Sequence, residues 1–201
     1  MAHETWARFD PAELVTVLLP ETREALDRLR SVAGPDGPAF FLYVLTHWRG
    51  TQSLDGWGAS AESMERFVSA KALSPDALAR RRREFLHLSG EWSGVDDRTG
   101  RFEESSKLVS RWEETSYDEE DPPGAMVDQI EEYSEMDLAV VEACRRVLRT
   151  LDAEGRLRTK SGFAGSSRLL VGVMAMDDDE SRTEQLLREL NPPELIAWWP
   201  K

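Results

Sequence analysis

Three histidines, one cysteine and a short run of acids are the residues of this chain whose types could do chemistry. His3, His47 and His87 lie far apart, and no Cys-x-x-Cys or His-Glu-x-x-His spacing occurs. A zinc site would have to be assembled from the distant His47 and His87 plus carboxylates. Ordinary packed or exposed histidines account for them without a metal, so neither a metal site nor a cofactor is assigned. Asp177, Asp178, Asp179 and Glu180 directly follow an apolar run. Oxygen ligands so grouped suit a divalent cation, but the plainer reading is the first turn of a helix, whose dipole favours negative charge. "SGFAGSS", residues 161 to 167, has the glycines and hydroxyls of a phosphate cradle but no lysine, and it leads into a strand, so it reads as a loop. Arg80 to Arg83 are spread around a helix axis rather than aligned on one face. Cys144 falls on an apolar helical stripe and reads as a small buried hydrophobe, with no catalytic residue assigned.

Seven tryptophans are the other resource, because large amphipathic rings anchor cores and interfaces alike. Trp48, Trp57 and Trp92 each stand next to a turn, beside charged or flexible residues. With His47, Arg49 and Glu91 they define a candidate pocket, which makes a small-molecule-binding protein or an unrecognised enzyme the alternative expectation. Core or rim packing is the competing role for each ring.

The formal charge of −13 argues against nucleic acid as a partner, since a polyphosphate rewards a basic face. Its placement is informative. Residues 103 to 137 carry thirteen acids against two bases, a net −11, while the rest of the chain is close to neutral. Such a segment is either a solvated connection or a surface that meets a basic protein partner. Its candidate contacts are Glu113, Glu114, Asp118, Glu119, Glu120, Asp121, Glu131 and Glu132. The longest strongly apolar stretch, about residues 38 to 46, is far short of the roughly 20 residues that cross a bilayer. The N-terminus lacks the basic start and long apolar middle of a signal peptide, and a lone cysteine forms no internal disulfide. The expectation is a cytoplasmic protein with no membrane partner; the oligomeric state is left open.

The elements that must position these residues follow from local signals. Asp10-Pro11-Ala12-Glu13 predicts a helix start, with Pro20 kinking or restarting the helix and Ala25, Leu26, Leu29 and Val32 continuing its apolar stripe. "AFFLYVLTH" predicts a strand over 39–47, apolar on both faces: Phe40, Leu42 and Val44 on one, Phe41, Tyr43 and Leu45 on the other. A hairpin to a weaker strand at 51–57 follows. Ser60 caps a helix over about 61–72 with Met64, Phe67 and Val68 facing inward, and Ser74-Pro75 starts another through Arg83. Further expectations are a strand at 86–92, a helix at 103–116, a loop at "SYDEEDPPG" and a helix at 136–154 ended by Gly155. There Val140, Cys144, Val147 and Leu151 share one face. "RLLVGVMAM", 168–176, is apolar at nearly every position and predicts the central strand, followed by a helix to 190 stopped by Asn191-Pro192-Pro193. The whole is a single α+β domain with a small mixed or mainly antiparallel sheet packed by several helices.

The order "AFFLYVLT", "SAESMERF", "LSGEWSG", "VLRTLDAEGRL", "RLLVGVMAMDDDES" and "ELNPPEL" resembles the bacterial family called domain of unknown function 4303, from about residue 10 to 199. The resemblance implies a single α+β domain and no particular activity. Small acidic proteins of this kind often serve as immunity partners of bacterial toxins, which by analogy makes a non-enzymatic, immunity-like binding role the leading expectation.

Overall fold

The computed structural model describes residues 9–33, 39–48, 51–71, 74–77, 102–116, 135–157, 169–175 and 180–193. They form an α+β domain of five helices, α1 (Pro11–Ala33), α2 (Ala61–Lys71), α3 (Glu103–Ser116), α4 (Glu135–Ala153) and α5 (Glu180–Leu190). The three strands are β1 (Ala39–Trp48), β2 (Thr51–Ser60) and β3 (Leu169–Ala175). The sheet is mixed, in the order β2-β1-β3: β2 is antiparallel to β1, from Ala39↔Ser60 to Trp48↔Thr51, and β3 is parallel to it, from Ala39↔Leu169 to Leu45↔Ala175. The predicted strand at 86–92, the helix beyond Ala77 and the loop at 117–125 lie outside the described residues.

β1, not β3, is central among the described strands, which corrects the expectation for 168–176. An apolar run reports that both faces of a strand are covered, and this holds for both strands: Phe40 to Val44 are fully buried and Leu169 to Val171 almost so. Face burial says nothing about how many strand neighbours a segment has. β3 instead lies against α5, and its outward backbone is taken by a side chain. The buried Asn191 Oδ1 accepts the Val171 N–H at 2.9 Å while its Nδ2 donates to the Val171 carbonyl at 2.6 Å and to Leu187 O at 2.8 Å. On the other side of the sheet Ser106 plays the same part for β2, accepting the Leu54 N–H at 3.0 Å and donating to the Leu54 carbonyl at 2.9 Å. At each position one side chain stands in for a missing strand partner, so backbone groups that would otherwise be left unsatisfied are bonded.

One face of the sheet presents Phe41, Tyr43, Leu45, Leu54, Leu169, Val171 and Val173 to a core completed by α1, α3 and α4. Phe102 roofs that face with ring centroids 6.5 Å from Phe41 and 6.0 Å from Tyr43. On the opposite face Gly172 lets Leu42 and the α5 residue Leu187 close in.

The helices begin and end where local chemistry sets them. Asp10 Oδ1 accepts the Ala12 N–H at 2.9 Å, and Ser60 Oγ accepts that of Ser63 at 3.1 Å. Pro20 does not restart α1, which runs unbroken through it. Proline removes one helical hydrogen bond, but Pro20 is exposed, where water can serve the freed Thr16 carbonyl, while Leu18, Thr22, Ala25, Leu26 and Leu29 stay buried. Val32 is 57% exposed rather than part of that stripe. Four residues beyond Leu29, the half-buried Ala33 continues it instead. α4 buries Val140, Cys144, Val147 and Leu151 as expected. It closes in a Schellman turn: Gly155 takes φ 74°, its N–H bonds Asp152 O at 2.9 Å, and Arg156 N–H bonds Leu151 O at 2.9 Å.

Candidate functional site

The described part of the acidic segment is α3 and the start of α4, and the tertiary structure adds α1 to it. Phe102, buried among the sheet aromatics, anchors the entry to α3, so the first turn of that helix meets the middle of α1. There the Glu21 carboxylate accepts the Glu104 N–H at 2.8 Å, the Ser105 N–H at 3.3 Å and the Ser105 hydroxyl at 2.5 Å. An acid so placed satisfies amides that have no partner within their helix and lies in the favourable field of its N-terminus. Around this junction Glu21, Glu24, Arg28, Phe102, Glu103 and Glu104 line a cleft of about 300 Å³. Arg28 reaches Glu24 at 3.7 Å, and Lys107 donates to Glu104 at 2.6 Å. The hydrogen bond to Glu104 and the Glu104 charge raise the Lys107 pKa, opposed by desolvation and helped to a lesser degree by the Glu103 and Glu21 charges.

Of the predicted partner contacts, Glu114 is exposed and Glu113 is not: its side chain is only 7% exposed. The correction has a helical reason. Ser105, Leu108, Val109 and Trp112 form the buried stripe of α3, and Glu113 falls in phase with Val109 one turn earlier. Among the acids of the segment, Glu103, Glu104, Glu114 and Glu135 are the exposed members within the described residues, whereas Asp137 is buried. Asp118, Glu119, Glu120, Asp121, Glu131 and Glu132 lie outside them. Glu21 and Glu24, the α1 members of the acidic surface, were missed because no sequence signal links positions 83 residues apart.

The candidate pocket does not converge where it can be followed. Trp57 is half-buried and pairs across the hairpin with Leu42, while His47 and Trp48 pair with Gln52 and Thr51. At about 3.3 Å per residue, five and six positions along β1 put His47 and Trp48 roughly 17 to 20 Å from the level of Trp57. Positions 47 and 57 also belong to opposite faces of the sheet by their register. Arg49, Glu91 and Trp92 lie outside the described residues, as do His87, Arg80 to Arg83, Asp177 to Asp179 and the loop at 161–167.

Two groups that could in principle react are locked in the core. Cys144 is fully buried, and loss of solvation pushes its thiol well above the ordinary range, opposite to what a nucleophile needs. The Tyr43 hydroxyl, also fully buried, lies 2.8 Å from Thr22 Oγ1. Thr22 spends its single proton on Leu18 O at 2.7 Å, so Tyr43 must be the donor, and the chain of bonds runs from sheet to helix. Desolvation above all, with the nearby Cys144, raises the Tyr43 pKa far above normal, opposed by the Thr22 bond. No group of three or more His, Cys, Asp or Glu that could hold a metal occurs among the described residues. Among those residues, too, no helix is long and apolar enough to cross a membrane.

No family model, no curated protein and no solved structure matches the chain.

Proposed function

We propose that this chain is a non-enzymatic binding protein, immunity-like in kind, whose acidic surface engages a basic protein partner. The observation that carries the reading is the concentration of thirteen acids against two bases in residues 103–137. Support comes from the α1–α3 junction, where Glu21 and Glu24 add to the exposed Glu103 and Glu104. A field of one sign steers an oppositely charged partner and fixes its orientation, and it acts most strongly at low ionic strength. The resemblance to the family of unknown function 4303 is part of the same proposal and adds no activity to it.

The test is a pull-down from the native host at low and high salt. A protein partner of basic character that is retained at low salt and released at high salt is the expected result. Recovery of no partner, or of one held equally at both salt concentrations, overturns the proposal.

A further inference from the structure

We draw no further inference here: the strongest candidate, the cleft between α1 and the first turn of α3 lined by Glu21, Glu24, Arg28 and Glu104, belongs to the acidic surface already proposed to meet a basic partner, and nothing beyond that cluster of carboxylates points to a ligand of its own.

Discussion

Phe102 lies so close over Gly56 that a methyl group at position 56 would come within 2.2 Å of its Cζ and within 3 Å of two further ring atoms. Gly56 pairs with Tyr43 across the hairpin, so the missing side chain leaves room for an aromatic roof over the sheet. A rigid, buried ring cannot step aside. Gly56→Ala is expected to lower stability by about 2 kcal/mol or more, read as a shift of the denaturant midpoint at constant slope. Replacing Phe102 by Leu in the same chain should recover part of that loss, giving a non-additive double-mutant cycle. Additive losses would show that the two positions do not share this contact. Gly172→Ala gives a control of the same kind: its nearest atoms are the Cδ2 methyls of Leu42 and Leu187, at 2.4 and 2.9 Å. Leucine ends can change rotamer, so its cost should be smaller than that at Gly56.

Asn191 bonds the Val171 N–H and carbonyl while buried at the C-terminal end of α5. Asn191→Ala leaves these groups without their partner and is expected to cost about 2 to 4 kcal/mol. Asn191→Asp keeps the shape but turns the amide donor into a carboxylate facing two carbonyls. Its folded-state pKa must therefore rise, so the variant should regain stability as the pH falls and the carboxyl protonates. Unfolding curves at neutral and acid pH would settle the point, and a variant whose deficit does not change with pH would contradict this geometry.

The hydrogen bond from Arg23 holds the Glu154 carboxyl below its ordinary 4.5, opposed by desolvation and helped to a lesser degree by the Arg23 and Arg156 charges. Arg156 also reaches Asp27 at 3.0 Å, so the network ties the end of α4 to α1. A lowered folded-state pKa means stability present above the ordinary value and lost as the pH falls through the folded one. The difference in unfolding free energy between the native chain and Glu154→Gln should therefore be positive at neutral pH and vanish in acid. Added salt should shrink it as well, since the side chains are partly exposed. A difference independent of pH would exclude the ion pair as its source.

Adjacent glutamates in α3 should behave differently. Glu114 is exposed near the C-terminal end of the helix, where a cation is tolerated, so Glu114→Lys should stay within about 0.5 kcal/mol of the parent. It should still weaken association with whatever basic partner the low-salt pull-down recovers. Glu113 is buried, and Glu113→Lys, which must bury a long cation, should destabilise the fold severely. Thermal unfolding of both variants, with binding measured for the first, makes the comparison. Equal stability of the two would contradict the placement of Glu113.

Cys144 should be inert in the folded protein. At pH 8 a disulfide thiol reagent is expected to leave it unlabelled in buffer and to label one thiol per chain in denaturant. Rapid labelling under native conditions would show that α4 opens readily.

Element by element, the sequence by itself determined what depends on neighbours a few residues away. Asp10, Ser60 and Gly155 mark helix ends because their caps close bonds within two to five residues. The stripe of α4 is legible because burial of one helix face imposes a period on residue type, and β1 because an unbroken apolar run marks a strand covered on both faces. The charge of Glu113 marks it as a surface contact in the sequence, and the structure corrects that by burying it in phase with Val109. Tertiary structure alone decided which apolar strand is central among the described ones, since strands covered on both faces look alike whether they have one strand neighbour or two. It also set Asn191 on Val171, Ser106 on Leu54 and Glu21 on the first amides of α3, pairings separated by 20, 52 and more than 80 residues. The same pairing register separates Trp57 from Trp48, nine residues apart in the chain, by six positions along the hairpin. Hydrogen bonds and registers of this range arise only when the chain folds back on itself, and a residue's type records that it needs a partner, not which segment supplies one.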